Sequence, residues 1–373
     1  LTDPEKRLGL SAHDFAQLLH CPNVLLTRSL LRDDAPTKPS RWLVRLDAVL
    51  AADGACAKLT DGQERYRYLA AALDPAQDIA ASEPPNFCPP IEARPRRLSA
   101  TEIDTLILDP YAIYAKRVLG LYPLGDLDPA PSPADRGRIV HAAFESFLQK
   151  YADHLPDDVL AAILEAGDDA FAEFADHAEA QAFWRPAFER SARWAAEREI
   201  AHREAIALTK AHAELKGEAV FQAPGGPFML TARADRIDAN GDGTLAIIDY
   251  KTGTPPTNKA IASADAPQLP LEAAIARHGA FKDGDGETLA ALETSLLAIW
   301  QLAGRDGGKV TAVDGEAAES AMDIAWEGVQ RLIAGFDEAD TPYLSEPRAA
   351  YNEVPRFSKY RTLARLSNDV EES

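Results

Sequence analysis

The segment RADRIDANGDGTLAIIDYKTG, residues 233–253, decides the fold because it reads as two strands joined by a polar turn. Apolar residues flank a cluster of Asn, Gly and Asp, which is typical of a β-hairpin. Side chains alternate between the two faces of a strand, so Asp249 and Lys251 share one face and Tyr250 points into the apolar layer. A turn of ordinary length brings Asp235 across from them. Two carboxylates and one ammonium are therefore predicted to share a corner of the sheet.

This charge cluster ends the apolar run LAIID and needs a counter-charge or a ligand. Magnesium binds one or two protein carboxylates and leaves its other positions to water and substrate phosphate. A lysine beside such an ion can activate a water molecule or neutralise charge in a transition state. The alternative is a structural salt bridge between Lys251 and the two acids.

The same segment contains a calcium-loop pattern, because Asp238, Asn240, Asp242 and Gly243 spell D-x-N-x-D-G. The twelfth position is Asp249 rather than a bidentate Glu, and both flanks read as strands where an EF-hand has helices. We interpret Asp238, Asn240 and Asp242 as a polar hairpin turn, since these residue types tolerate a left-handed backbone. A calcium-binding acidic protein is the weaker alternative, and metal titration separates the two.

The 373 residues are 46% apolar, which suits one large or two ordinary globular domains. No apolar run approaches the roughly 20 residues of a membrane helix, and the first residues lack the features of a signal peptide. We expect a cytoplasmic protein without a membrane partner. The chain begins at Leu1 rather than Met, which suggests a piece of a longer protein. Cys21, Cys56 and Cys88 form no C-x-x-C pair, so neither disulfides nor a cysteine-held metal site is expected.

A net charge of −20 argues against a surface that coats nucleic acid generally, yet it allows a local basic channel. Candidates for such a channel, each equally consistent with ordinary solvated charge, are Arg94, Arg96, Arg97, Lys116, Arg117, Arg136 and Arg138. Arg233 and Arg236 flank Asp235, and we expect them either to contact DNA phosphate or to lie on an outer face. Trp300 reads as a core residue rather than a stacking platform.

The order of predicted elements indicates two domains. Residues 1–92 read as a helical segment. A proline-rich stretch at 73–97 marks the linker, and we place the domain boundary near residue 92. Residues 93–373 read as an α/β domain, in which a small mixed sheet is flanked by helices and a long helical insert covers about 154–215. Its first helix starts with a Ser99/Glu102 capping box, and a later one carries an apolar stripe around Phe144.

Together these residues resemble the RecB-like branch of the PD-(D/E)XK (restriction-endonuclease-like) nucleases. The segments ADRID, IIDYKTG and QLPLEA are similar to its D…DYKTG…Q arrangement, and GRIVHAAFE is similar to its G-x-x-x-H-x-x-L-E helix. The positions that fall in the family's order are Gly137, His141, Glu145, Asp235, Asp249, Lys251 and Gln268.

The resemblance implies roles for these residues. It implies that His141, Asp235, Asp249 and the Tyr250 carbonyl hold Mg²⁺, for which Mn²⁺ can substitute. It further implies that Lys251 assists the attacking water. Gln268 would support the site. His141 and Glu145 are four residues apart and so share one face of a helix. A departure from the pattern is Glu272, which stands where many relatives have a tyrosine.

Further segments, including LSATEIDTLILDPYAIYAKRVLGLYPL, resemble the C-terminal third of AddB subunits of bacterial AddAB helicase–nucleases. This implies a Mg²⁺-dependent DNA exonuclease that cuts one unwound strand in double-strand break repair, with DNA and an AddA-type subunit as partners. Some AddB proteins hold an iron–sulfur cluster, but no cysteine follows Cys88, so none is expected. AGRDGGKV, residues 303–310, departs from a Walker A motif, so no ATP site is expected. The alternative function is a catalytically lapsed DNA-binding or scaffolding module.

Overall fold

A computed structural model describes residues 4–32, 35–55, 62–73, 85–125, 131–278, 281–282, 288–289, 292–347 and 358–366. The chain divides into two compact units, Leu1–Ser82 and Glu83–Ser373. The first unit contains helices α1 (Pro4–Leu19), α2 (Arg41–Ala52) and α3 (Gln63–Leu73), with a two-stranded pair of β1 (Leu31–Arg32) and β2 (Ala35–Pro36). Helices were expected here, and helices predominate among the described residues.

The second unit combines helices with a mixed sheet, as the sequence predicts. Its strands are β3 (Arg97–Ser99), β4 (Lys210–Ala223), β5 (Gly226–Ala239), β6 (Leu245–Lys251), β7 (Phe281–Lys282), β8 (Thr294–Gln301) and β9 (Lys309–Asp314). Its α-helices are α4 (Ala100–Leu108), α5 (Pro110–Ile113), α6 (Pro133–Lys150), α7 (Val159–Phe171), α8 (Arg185–Ala205), α9 (Asn258–Ala262), α10 (Gln268–Arg277) and α11 (Gly315–Phe336).

The sheet runs in the order β7-β4-β5-β6-β8-β9, and β3 pairs with β5 outside this path. The pairs β6–β8 and β3–β5 are parallel, whereas the other pairs are antiparallel. β6 lies between two apolar layers. Ile247 belongs to the core shared with α4, α10 and α11, and Ile248 belongs to the core shared with α6, α7 and α8. The unit is therefore a sheet between two layers of helices, and the predicted α/β class is confirmed.

Local signals place several elements correctly. Ser99 and Glu102 form the predicted capping box at the start of α4. The apolar stripe of α6 is buried, including Phe144 and Phe147. Trp300 is fully buried in the core, as predicted. Among the described residues, no helix has the length and apolar character needed to cross a membrane.

The predicted helical insert extends too far toward the C-terminus. Strand β4 already begins at Lys210, inside the range 154–215 that was expected to be helical throughout. The segment KAHAELK is rich in residues that favour helices, but its pairing with β5 overrides that preference. β9 was also not predicted, because its residues follow a glycine-rich loop that masks the short alternating pattern.

The predicted boundary near residue 92 falls inside the contacts of the second unit. The amide of Tyr343 donates to the carbonyl of Phe87 at 2.9 Å, and the Phe87 ring stacks on Tyr114 at 5.3 Å. Nε of the buried Arg94 donates to the carbonyl of Pro89 at 2.9 Å. Residues just before 92 therefore pack with the sheet domain. That this domain folds by itself stays a prediction.

Candidate active site

The end of the β5–β6 ladder positions the two aspartates. Backbone pairing between these strands ends at Arg236 opposite Ile248. Beyond that pair, the carboxylate of Asp235 accepts a hydrogen bond from the backbone N–H of Tyr250 at 2.9 Å. A side chain thus replaces the backbone carbonyl as the acceptor where the ladder ends. This bond fixes Asp235 beside the end of β6, which also carries Asp249. The predicted approach of the two acids is therefore present.

Lys251 and Gln268 surround the carboxylate of Asp249. Lys251 Nζ lies 2.8 Å from Asp249 Oδ1, and Gln268 Nε2 donates to the same oxygen at 3.1 Å. Gln268 Oε1 accepts from Lys251 Nζ at 3.4 Å. Burial raises the pKa of Asp249, although the lysine opposes this effect. Burial disfavours the charged form of Lys251, but the charge of Asp249 and its hydrogen bond outweigh that effect and raise the pKa of the ammonium.

Glu272 occupies the place one helical turn after Gln268, where the resemblance would put a tyrosine. It is buried, and its Oε1 accepts a hydrogen bond from Gln268 Nε2 at 3.1 Å. Burial, followed by the charge of Asp249, raises the pKa of Glu272 well above its ordinary value. Glu272 thus supports Gln268 from inside the helix layer.

His141 reaches the same corner from α6. Its Nδ1 lies 3.4 Å from Asp235 Oδ1, and its ring meets the edge of Tyr250 at 6.4 Å. The buried Tyr250 ring stacks on Phe144 at 4.7 Å, so the phenol lies in the apolar layer, as predicted. Burial opposes protonation of His141, but the hydrogen bond and charge of Asp235 outweigh it and raise the pKa of the imidazole.

Glu214 is a site residue that the sequence analysis missed. The β4–β5 register pairs Ala213 with Arg236 and Leu215 with Ala234, which places Glu214 opposite Asp235. Its φ of 55° lies in the left-handed region that non-glycine residues rarely adopt. Strain of this kind is frequent at functional sites. No sequence motif marks the residue, because its position opposite Asp235 depends on the pairing of β4 with β5.

The donor groups of this corner fit a hard divalent cation. Ligand atoms of His141, Glu214 and Asp235 all lie within 4.8 Å of one another. Oδ2 of Asp249 is buried and has no hydrogen-bond partner in the described part of the chain. An unsatisfied buried carboxylate oxygen is costly unless a ligand completes it. Carboxylate oxygens with one imidazole nitrogen suit Mg²⁺ or Mn²⁺. The role of the Tyr250 carbonyl as a ligand stays a prediction.

Two further acids lie near these ligands. Glu145 accepts a hydrogen bond from Gln149 at 3.1 Å, and its charge contributes to a raised pKa of Glu214, for which burial is the main cause. Asp104, on α4, was not predicted as a site residue. Burial raises its pKa to about 7, against the opposing charge of Lys251. A carboxyl group that titrates near neutrality therefore lies close to Lys251.

Arg236 contradicts the expectation of an outer face or a DNA contact. Its guanidinium is fully buried and forms two bonds to Glu199, at 2.5 and 3.0 Å, and one to Asp238 at 2.7 Å. Asp238 also lies 2.8 Å from His202 Nε2. β5 is covered by α8 on this face, so an inward arginine requires paired acids. Arg233, by contrast, is exposed and paired with Glu214.

The interpretation of the polar turn needs one correction. Asn240 and Asp242 do lie at the turn, where Asp242 accepts the backbone N–H of Thr244 at 2.9 Å. Asp238 lies within β5 and is buried against Arg236 and His202. Because strands flank the segment on both sides, it is not an EF-hand.

Most of the predicted basic channel is engaged in structural contacts. Arg94 donates to three backbone carbonyls near the end of α11 besides that of Pro89, and Arg96 pairs with Asp337. Lys116 and Arg117 both bind Glu102. In addition, Arg138 binds Asp135 at 2.6 Å. These residues do not form a channel. Arg97 and Arg136 differ from them, because neither has a salt bridge among the described residues.

Comparison with known proteins agrees with this geometry. Residues 97–351 match the PD-(D/E)XK nuclease superfamily. The chain belongs to this superfamily. An uncharacterised protein of Rickettsia typhi is 29% identical over 216 residues, which are 57% of this chain and 24% of that protein. One of Rickettsia bellii is 28% identical over 187 residues, covering 50% of this chain and 22% of its own length. The chain thus spans about a quarter of the length of these relatives.

Proteins of the PD-(D/E)XK superfamily are usually metal-dependent nucleases, which agrees with the cluster around Asp249. The solved structure of SSO0001 overlaps 63% of this chain and 76% of its own with 10% identity and a TM-score of 0.26, a likeness too low to carry an argument.

Proposed function

We propose that this chain carries a Mg²⁺-dependent deoxyribonuclease that acts as an exonuclease on one strand of unwound DNA. The nuclease would belong to a cytoplasmic helicase–nuclease complex with an AddA-type subunit. This complex would act in double-strand break repair and recombination. Support for the nuclease comes chiefly from one observation. Side chains from four different elements meet at one edge of the sheet, namely His141, Asp235, Asp249, Lys251 and Gln268.

The chemistry follows from how these side chains hold one another. Mg²⁺ held by His141, Glu214, Asp235 and Asp249 would supply Lewis acidity and charge neutralisation at the scissile phosphate. The Lys251 ammonium, kept protonated by Asp249, offers a fixed positive charge to the phosphate as negative charge develops on it. Gln268 binds both Asp249 and Lys251, so it holds the acid and the ammonium in a constant relative position.

The resemblance to AddB segments supports the helicase–nuclease setting and the partner subunit. The Rickettsia relatives are much longer than this chain, which agrees with a nuclease joined to further domains. The ATP-driven step of such a complex would then reside elsewhere.

The test is cleavage of single-stranded DNA labelled at the 5′ or the 3′ end, with Mg²⁺, Mn²⁺, Ca²⁺ or EDTA. We expect Mg²⁺ and Mn²⁺ to support cleavage and EDTA to abolish it. Lys251→Ala should lower the rate by about 10²- to 10³-fold, as removal of one transition-state donor commonly does. Lys259→Ala is the matched control, because Lys259 is an exposed lysine beyond the site. Full cleavage by Lys251→Ala protein would contradict the mechanism, and DNA binding without cleavage would favour the lapsed module.

A further inference from the structure

Three arginines from separate elements line a surface cleft of about 510 Å³ in the second unit. Arg136 comes from α6, Arg190 from α8 and Arg305 from the loop between β8 and β9. The remaining lining residues are Ala187, Ala303 and Gly304. We call this feature the arginine cleft.

The arginine cleft contains positive charge without a protein counter-charge. No acidic side chain is among its lining residues. Arg190 donates to the backbone carbonyl of Pro186 at 3.1 Å, and Arg136 and Arg305 have no hydrogen bond or salt bridge in the described part of the chain. Burial, together with the charge of Arg190, lowers the pKa of Arg136. Unpaired like charges that face each other cost free energy, and an anion between them would recover it.

This arrangement contrasts with that of most other basic residues that were predicted to form a channel. The chain carries a net charge of −20, so acids are abundant. Five of those residues each bind a carboxylate or a backbone carbonyl, namely Arg94, Arg96, Lys116, Arg117 and Arg138. The three arginines gathered in this one cleft have no carboxylate partner among the described residues, which leaves the cleft free to bind an anionic ligand.

The loop that carries Arg305 is shaped to approach α8 closely. Gly304 and Gly307 have φ values of 96° and 86°, which favour glycine. A Cβ at Gly307 would collide with the backbone carbonyl of Arg190, and one at Gly308 would collide with the ring of Trp194. The glycine-rich segment that fails as an ATP loop thus serves to bring Arg305 next to Arg190.

The arginine cleft lies at the same edge of the sheet as the candidate active site. β6 and β8 are parallel neighbours, with Lys251 opposite Gln301, so the loops that follow them leave from one edge. Gln301 Nε2 donates to the carbonyl of Gly253 at 2.9 Å and joins these loops. Arg136 precedes His141 by five positions on α6, which corresponds to about 7.5 Å along a helix axis.

We propose that the arginine cleft binds the phosphodiester backbone of the nucleic-acid strand, at phosphates beyond the one that is cleaved. The assignment rests on the proposed nuclease function. Planar guanidinium groups form paired hydrogen bonds with phosphate oxygens, and such contacts hold a strand in register without reading its bases. The cleft has no aromatic lining that would stack an adenine or anchor a protein partner. A backbone of repeated phosphates therefore fits it better than a mononucleotide or an acidic protein.

The test measures binding of a fluorescent single strand of DNA to the full chain in EDTA, by anisotropy at several salt concentrations. Because EDTA stops cleavage, the result does not depend on catalysis. Arg136→Gln and Arg305→Gln should each raise Kd about 5- to 10-fold and reduce the slope of log K against log salt by about 0.7, the value for one phosphate contact on a single strand. Arg138→Gln is the matched control, since Arg138 lies on the same helix and is paired with Asp135.

The variant Gly307→Ala tests the same cleft independently, because the added Cβ displaces the loop that carries Arg305. It should also weaken DNA binding. The melting temperature of each variant confirms that it remains folded. Unchanged Kd and salt slope in both glutamine variants would overturn the proposal. Poly-glutamate that binds more tightly than DNA, with the same dependence on the arginines, would assign the cleft to an acidic protein surface and also overturn it. Failure of the parent protein to cleave DNA would instead refute the proposed function.

Discussion

Glu214 shows how a single strained residue can serve a site. Its backbone has a positive φ, a conformation that costs of order 1–3 kcal/mol and needs compensation. Arg233 neutralises part of its charge, whereas Asp235 and Glu145 raise its pKa. A divalent cation would compensate far more, because it binds all three of the clustered ligand groups at once.

We expect Glu214→Gln to weaken metal binding by about tenfold while leaving the metal-free protein equally stable or more stable, because repulsion between carboxylates is removed. Calorimetric titration with Mn²⁺ measures the affinity, and melting with and without Mn²⁺ measures the linked stabilisation. Glu218→Gln is the control, because Glu218 is an exposed residue of the same strand. Parent-like Mn²⁺ affinity in Glu214→Gln would show that Glu214 does not serve the metal site.

Asp104 gives the stability of the protein a predictable dependence on pH. Its pKa is about 7 in the folded protein, against an ordinary value of 3.8. Between these values the folded state keeps a proton that the unfolded chain has lost, so stability falls as pH rises from about 4 to about 7. Asp104→Asn removes this penalty.

The Asp104→Asn variant should therefore be more stable than the parent at about pH 8, with a smaller difference at about pH 5. Urea denaturation at the two pH values measures the free energies of unfolding. Asp242→Asn serves as the control, because hydrogen bonds from Thr244 lower the pKa of that exposed carboxyl. A difference of the same size at both pH values would mean that burial does not shift the titration of Asp104.

At the scale of elements, a buried ionic network fastens helix α8 to the hairpin that carries the site. Arg236 binds Glu199 of α8 and Asp238 of its own strand, and its Nη1 lies 3.3 Å from the hydroxyl of Tyr250. The Trp300 ring lies under the guanidinium, 5.4 Å away. The network occupies one face of β5 and β6, and Asp235 and Asp249 emerge from the other.

We expect Arg236→Ala to lower the free energy of unfolding by about 3–5 kcal/mol, because it removes the buried guanidinium that neutralises both Glu199 and Asp238. Arg236→Lys should recover little, since an ammonium cannot reproduce the forked contacts. Arg233→Ala on the same strand should change stability by at most about 1 kcal/mol, as is usual for an exposed ion pair. Equal effects of Arg233→Ala and Arg236→Ala in urea denaturation would contradict the importance of the network.

Elements were predictable where short-range patterns decide them. The capping box of α4, the stripe of α6 and the apolar run of β6 are all local, and the structure contains each of them. The gathering of Asp235, Asp249 and Lys251 followed from strand alternation and one turn. The buried position of Arg236 could not be predicted in this way, because its partner Glu199 lies on a helix that no local pattern places against β5.

The same limit explains what was missed at the site. The position of Glu214 depends on the pairing of β4 with β5, and that of Asp104 depends on the packing of α4 near Lys251. Neither is encoded in a nearby spacing. The site residues that were identified from the sequence are those that match the family's motif or share one face of a strand.

At the scale of the whole molecule, the second unit should be an independent domain whose boundary lies before residue 85. A fragment of residues 83–373 keeps the bond from the Tyr343 amide to the Phe87 carbonyl and that from Arg94 to Pro89. A fragment of residues 93–373 loses both partners and leaves a buried guanidinium donor unsatisfied, which costs about 1–3 kcal/mol.

We therefore expect the fragment 83–373 to fold on its own and to melt at least about 2 °C above the fragment 93–373. Thermal unfolding of the two purified fragments by circular dichroism measures the difference. Phe87→Ala in the longer fragment is the control, because it removes the ring that stacks on Tyr114 and keeps both backbone carbonyls. A drop as large in this variant as in the shorter fragment would attribute the effect to ring stacking alone. Equal melting of the two fragments would show that residues 85–92 contribute nothing, and the boundary near residue 92 would stand.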